Sequence, residues 1–227
     1  MPARWWPRWP GCPVVAVEVK VCGLTRPADA ATAAAAGATY LGVVFAGGPR
    51  VVTPAEAARI VAAAGIPVFG VFGGQPAEAI LQIARGAGLA GAQLHGDYGR
   101  DSARRLGAEG LLVWRVVRIA APADLDLLEE ATRGADAVLV EPRVAHAAGG
   151  TGVSLDLAVA REARARLAGA RMVLAGGLSP ATVGQATTLV RPDVVDVSSG
   201  VERLPGIKDP DRIAAFLEAA FGPSPIP

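Results

Sequence analysis

The stretch VVAVEVKVCGLTR, residues 14–26, runs as an apolar strand that stops at Cys22 and turns at Gly23. Strand chemistry (β-branched valine at nearly every other position) gives way in one step to turn chemistry. A thiol at the carboxyl end of a strand, two residues from Lys20 on the same face, sits where an α/β enzyme presents a reactive group. The plainer reading is a small buried hydrophobe, the usual fate of a free cysteine. Whether Cys22 is functional depends on how often the pattern of strand, glycine turn and helix recurs downstream.

It recurs eight times. β-rich runs occupy Val14–Val21, Tyr40–Phe45, Pro67–Val71, Gly91–Leu94, Leu111–Val117, Ala137–Val140, Arg171–Leu174 and Asp193–Val197. Helical patterns lie near Ala28–Ala36, Pro54–Ala64, Pro76–Gly86, Asp101–Leu106, Pro122–Thr132, Leu155–Leu167, Pro180–Val190 and Asp209–Phe221, several opening on a first-turn proline. Mostly apolar strands alternating with helices predict a parallel sheet covered on both faces. Eight such units in a chain of 227 residues predict an α/β fold of one kind, a single (β/α)8 barrel. An open doubly wound sheet is the structural alternative, but no G-x-G-x-x-G follows the first strand. Residues 14–222 read as one barrel, with an irregular N-terminal extension at 1–13 and a tail at 223–227. The extension, rich in tryptophan and proline, fits neither a signal peptide nor the barrel and reads as dispensable.

Composition narrows the partners. Twenty-two basic against 21 acidic residues leave a net charge of +1, which advertises neither a nucleic acid nor an anionic membrane. Mean hydropathy is +0.37, yet no run of about 18 uncharged apolar residues is present, so no membrane span is expected. Cys12 and Cys22 are too near one end to staple the fold, and no metal-ligand spacing exists. A reducing cytoplasm is the expected home, with no cofactor or metal, as a monomer or a homodimer.

The loops after barrel strands build the active site. Here the first carries Cys22, the second Gly48-Pro49-Arg50, the fourth His95, and the sixth Glu141 followed by Gly149–Gly152. The seventh and eighth carry Gly176-Gly177 and Ser198-Ser199-Gly200, whose backbone N–H groups and hydroxyls suit a phosphate. Arg50, after a glycine pair and proline, is placed to fix a carboxylate bidentately. His95 is either a substrate contact or a hydrogen-bonded structural group, and His146 reads as solvent-exposed. Both lysines, Lys20 and Lys208, fall in these segments, although the chain otherwise uses arginine for its basic residues.

Taken together, KVCGLTR (20–26), GPR (48–50), QLHGD (93–97), GGTG (149–152), AGGL (175–178), DVSSGVE (196–202) and PGIKD (205–209) resemble phosphoribosylanthranilate isomerase, a barrel family of tryptophan biosynthesis. The resemblance implies a cofactor-free Amadori rearrangement of N-(5′-phosphoribosyl)anthranilate, a small phosphosugar conjugate. It implies Cys22 as general base and a general acid at the end of the sixth strand. It also implies Arg50 on the anthranilate carboxylate, and Gly177, Ser198, Ser199 and Gly200 around the phosphate. In one place the chain departs from the pattern: the family's usual acid is an aspartate, and here the position is Glu141. One extra methylene moves the carboxyl by over an ångström, which costs on the order of 100-fold unless compensated. Ala181 and Thr182 likewise replace a usual asparagine. The alternatives are a paralogous isomerase of a related phosphosugar conjugate and a catalytically silent phosphosugar-binding barrel.

Overall fold

Short valine-rich strands that bury both faces have one economical arrangement, a sheet closed on itself and wrapped by helices. The computed structural model describes residues 17–143 and 155–222 and shows that arrangement. Strands β1 (Glu18–Val21), β2 (Tyr40–Val44), β3 (Val68–Phe72), β4 (Gly91–Leu94), β5 (Leu112–Ile119), β6 (Ala137–Pro142), β7 (Met172–Leu174) and β8 (Val194–Val197) pair in parallel order. The barrel closes where β8 meets β1, with Val195 opposite Val19 and Asp196 opposite Lys20. Between the strands run α1 (Pro27–Ala35), α2 (Pro54–Ala64), α3 (Ala77–Ala87), α4 (Arg100–Ala108), α5 (Leu127–Thr132), α6 (Leu157–Arg166) and α7 (Val183–Val190), and α8 (Pro210–Phe221) follows β8.

Successive strand residues point to opposite faces, so each strand feeds two cores. Val19, Leu41, Val43, Phe72 and Leu94 pack outward against helix residues such as Ile60, Ile80 and Phe216. Tyr40, Phe69, Trp114, Leu139, Val173 and Val194 pack inside the barrel. Phe69 and Trp114 lie 4.3 Å apart by centroid, and Tyr40 meets both edge-on. Gly91 makes room for this cluster, since a Cβ there would drive into the Phe69 ring. Full burial of Phe69 alone stabilises by about 1.5–3 kcal/mol. This plug closes the lower barrel and leaves the chemistry to the upper end.

The helix boundaries show their local causes. Thr53 caps α2 reciprocally with Glu56: its hydroxyl accepts from Glu56 N–H, and the Glu56 carboxylate accepts from Thr53 N–H. Asp209 caps α8 by accepting from the N–H groups of Asp211 and Arg212. The expected helix over 122–132 divides into a 3-10 turn (Pro122–Asp126) and α5, because the Asp124 carboxylate accepts from Ala120 and Ala121 N–H and tightens the first turn. α7 starts at Val183 rather than Pro180, after a turn held by Ser179 and Thr182. One element had no counterpart in the strand pattern. After a 3-10 turn at Ser199–Val201, β9 (Glu202–Leu204) and β10 (Ile207–Lys208) form a small antiparallel hairpin around Gly206, whose φ of +79° suits glycine. The extension at 1–13, the tail at 223–227, Cys12, His146 and the glycine segment 149–152 lie outside the described residues.

Candidate active site

Cys22 follows β1 directly and is held by its N–H donating to Val197 O at 2.8 Å. Its side chain turns into the barrel beside Lys20. The two are packed over Gly42 of β2, where an ideal Cβ would lie 2.7 Å from Cys22 Sγ and 3.1 Å from Lys20 Nζ. Glycine at 42 is therefore what lets thiol and ammonium share one space. Lys20 is fully buried and donates to Gln93 Oε1 at 2.9 Å and Asp196 Oδ2 at 3.0 Å, with its Nζ 5.8 Å from the Trp114 ring centroid.

Opposed electrostatic effects set the protonation states here. Burial pushes the Cys22 thiol up, the Lys20 ammonium pulls it down, and burial wins. Burial works against the charge on Lys20, but Asp196 and Cys22 outweigh it and hold the amine charged above its ordinary range. Asp196 is itself raised by burial, against the pull of Lys20 and with a further push from Glu141. Its Oδ1 has no hydrogen-bond partner among the described residues.

Glu141, near the end of β6, and His95, just after β4, meet inside the mouth with Nε2 to Oε1 at 2.7 Å. Both are buried. The glutamate therefore spans toward a partner on a strand that is not its neighbour, and Glu141 Oε2 has no bond to a described residue.

On the other side of Cys22, Arg50 lies across Gly23. A Cβ at Gly23 would come within 2.6 Å of Arg50 Cδ and 2.8 Å of Ser198 Oγ, so the arginine stem and the serine hydroxyl flank the same glycine. Arg50 does not stand free. Its Nε and Nη2 donate to Oε1 and Oε2 of Glu202 at 2.8 and 2.6 Å. Lys208 Nζ donates to Glu202 Oε1 at 2.8 Å and to Ser198 O at 3.0 Å. Burial opposes the charge on Glu202, yet Arg50 and Lys208 overcome it and hold the carboxyl below its usual range. Burial pulls Lys208 down.

The seventh and eighth loops abut. Gly176 and Gly177 have φ of +94° and +63°, and Gly200 is pressed so close to Leu178 and Ser179 that a side chain there would collide with backbone. Gly177 and Ser198-Ser199-Gly200 thus fall into one rim, as the sequence suggests. The structure brings Cys22, Arg50 and Ser198 together around Gly23, and His95 together with Glu141. Sequence reading gave no role to Gln93, Asp196 or Glu202, although for Gln93 and Asp196 a polar residue at an inward position of an apolar strand (GAQLH, VVDVS) is a readable signal. Among the described residues no cluster of His, Cys, Asp or Glu could hold a metal ion, and no helix is long and apolar enough to cross a membrane.

Residues 19–219 match the family model described as N-(5′phosphoribosyl)anthranilate (PRA) isomerase. The chain belongs to that family. An N-(5′-phosphoribosyl)anthranilate isomerase from Trichlorobacter lovleyi is 41% identical over 209 residues, covering 90% of this chain and 98% of the relative. The solved structure of monomers of the dimeric isomerase from Thermotoga maritima matches with a TM-score of 0.77 at 35% identity, covering 90% of this chain and 98% of that one. A further solved isomerase, in complex with reduced 1-(o-carboxyphenylamino)-1-deoxyribulose 5-phosphate, matches with a TM-score of 0.76 at 33% identity, again over 90% and 98% of the two chains.

Proposed function

We infer that this chain isomerises N-(5′-phosphoribosyl)anthranilate to 1-(2-carboxyphenylamino)-1-deoxyribulose 5-phosphate, a step of tryptophan biosynthesis, with Cys22 as base and Glu141 as acid. The observation that carries the assignment of roles is the pairing of a mouth-facing thiol with a buried ammonium, Cys22 beside Lys20. Glu141 delivers a proton to the furanose ring oxygen, the C1′–O4′ bond breaks, and the nitrogen lone pair forms the C1′=N bond. Cys22, as thiolate, removes the C2′ proton and leaves an enolamine. Protonation at C1′ and loss of the 2′-hydroxyl proton give the ketone. The protons delivered to O4′ and C1′ balance those taken from C2′ and the 2′-hydroxyl, so the step needs no oxidant. Lys20 stabilises the thiolate, the minor form at neutral pH given the raised Cys22.

The substrate carries two anionic groups, which suit the remaining parts of the mouth. The rim that joins Gly177 to Ser198, Ser199 and Gly200 is the part suited to the phosphate, since glycine-rich backbone and serine hydroxyls favour an anion. Arg50 offers its unused edge to the anthranilate carboxylate, and His95 serves the site through Glu141. Residues 14–222 form the catalytic unit, 1–13 and 223–227 are accessory, and the cytoplasm supplies the reducing setting a thiolate base requires. The Thermotoga maritima relative is described as dimeric, which favours a homodimer over a monomer here. Turnover is tested by the loss of phosphoribosylanthranilate fluorescence on adding the protein. Binding of the compound without turnover would leave the silent phosphosugar-binding barrel as the correct reading.

A further inference from the structure

Arg50 has two usable edges, and the structure spends one of them inside the protein. Glu202 takes the Nε–Nη2 edge at 2.8 and 2.6 Å, with the Arg50 and Glu202 side chains only 13% and 5% exposed. Nη1 donates to no described residue. The edge formed by Nη1 and the second Nη2 hydrogen thus carries no bond to a described residue, and a guanidinium presents two parallel N–H bonds there as well.

Glu202 is tied down in its own right. Its Oε1 also accepts from Lys208 Nζ at 2.8 Å and from Gly206 N–H at 3.2 Å. Lys208 is held in turn by its Nζ bond to Ser198 O and by its backbone N–H donating to Asp29 Oδ2 at 3.1 Å. Thr25 Oγ1 donates to Gly206 O at 2.6 Å, which pins the hairpin over the first loop. One carboxylate thus joins the second loop, the β9–β10 hairpin and the carbonyl of Ser198 in the eighth loop.

We propose that Glu202 is a positioning residue for substrate recognition. It fixes the open edge of Arg50 at a set separation from the eighth-loop rim, so that a ligand with a carboxylate at one end and a phosphate at the other is held at both. The proposal rests on the isomerase reading for the identity of that ligand. A charge-assisted bidentate pair is the strongest orientation restraint available to an arginine, and an orientation lost at one end of the substrate is read mainly as binding.

The test is Glu202→Gln, nearly isosteric but unable to accept from both Arg50 nitrogens. Steady-state kinetics with phosphoribosylanthranilate, inhibition by free 2-aminobenzoate and by inorganic phosphate, and thermal unfolding are measured together. The expected result is a KM about tenfold higher, from loss of one charge-assisted bond, with a smaller change in kcat. Inhibition by 2-aminobenzoate should weaken in step with KM and more than inhibition by phosphate. Glu202→Asp, which keeps the charge, should fall between wild type and Glu202→Gln, and it stands in should the glutamine variant not fold. Combined with Arg50→Lys, Glu202→Gln should add little to the loss from Arg50→Lys alone. An unchanged KM, fully additive losses, or kcat and KM moving only in proportion to a fall in melting temperature would each overturn the proposal. Failure of the wild-type protein to turn over phosphoribosylanthranilate would count against the isomerase reading instead.

Discussion

Gly42→Ala adds one methyl group to the floor shared by Cys22 and Lys20, and its effect can be worked from distances. The new Cβ would lie 2.7 Å from Cys22 Sγ, 3.0 Å from Lys20 Cε and 3.1 Å from Lys20 Nζ. Gly42 does not have a positive φ, so the backbone accepts alanine without strain. Ordinary contact needs about 3.5–4.0 Å, so Sγ must retreat by roughly 0.8–1.3 Å. Lys20 cannot yield freely in its place, being held by Gln93 and Asp196. Displacement of a reacting atom by about 1 Å costs on the order of 100-fold in rate. Overpacking of this kind costs about 1–3 kcal/mol of stability, a fall of roughly 2–12 °C in melting temperature at this chain length. Gly91→Ala is the control. Its Cβ would come 2.6 Å from Phe69 Cδ1 and 2.7 Å from Phe69 Cζ at the far end of the barrel, so it strains the fold away from the mouth. The assay is kcat/KM from substrate fluorescence, measured well below each variant's transition, alongside calorimetry. A folded Gly42→Ala enzyme with kcat/KM within about threefold of wild type would refute the placement of Cys22 Sγ as the reacting atom. Equal activity losses in both variants would show general barrel strain rather than local geometry.

Cys22→Ser removes the proposed base and should lower kcat by about 10²–10⁴ while leaving the melting temperature and inorganic phosphate binding nearly unchanged; retained turnover rules out the thiol. Because burial raises Cys22, the thiolate absorbance that disappears in Cys22→Ser should titrate with a midpoint above the ordinary value of about 8.5, and Lys20→Met should move it higher still. The folded state holds this proton more tightly than the unfolded chain, so the associated stability persists below the unfolded value and is lost as pH rises through the folded one. A midpoint at or below the ordinary value, or no shift in Lys20→Met, contradicts the electrostatic account. Glu141→Asp should lower kcat by about 100-fold, since the shorter side chain gives up the 2.7 Å bond to His95. Equal or higher activity would show that bond to be incidental.

The barrel was legible because its signal is local and repeated. Each β-rich run and each helix start, such as Thr53-Pro54 with Glu56 three residues on, declares itself within a few residues. The position of Cys22 was legible for the same reason, as were the glycine pair of the seventh loop and the Ser-Ser-Gly of the eighth. What stayed hidden depends on closure. Lys20 meets Asp196 across 176 residues of chain only because β8 pairs with β1 in one register. His95 meets Glu141 by reaching over the strand between them. The β9–β10 hairpin was missed because strands of three and two residues carry too little alternation to register. The loop sequence puts Arg50 after the second strand but says nothing of its bidentate partner within the protein, Glu202.

These hidden contacts bear on the glutamate at 141. An aspartate from the same backbone position is one methylene too short for the 2.7 Å contact with His95, whereas glutamate reaches it through Oε1. The extra methylene is therefore held by a partner rather than left to wander, which is the compensation the proposed acid would need. The same logic runs through the cations. Lys20, Lys208 and Arg50 all act on Cys22, and left unbalanced they would favour any anion in the mouth over a correctly seated substrate. Asp196 and Glu202 neutralise them in fixed directions, one at Lys20 and one between Arg50 and Lys208. Positive charge is thus directed mainly toward the thiol and to the edge of Arg50 that Glu202 does not take. Selectivity for a ligand with two separated anionic groups follows from where the carboxylates subtract charge as much as from where the lysines and arginine add it.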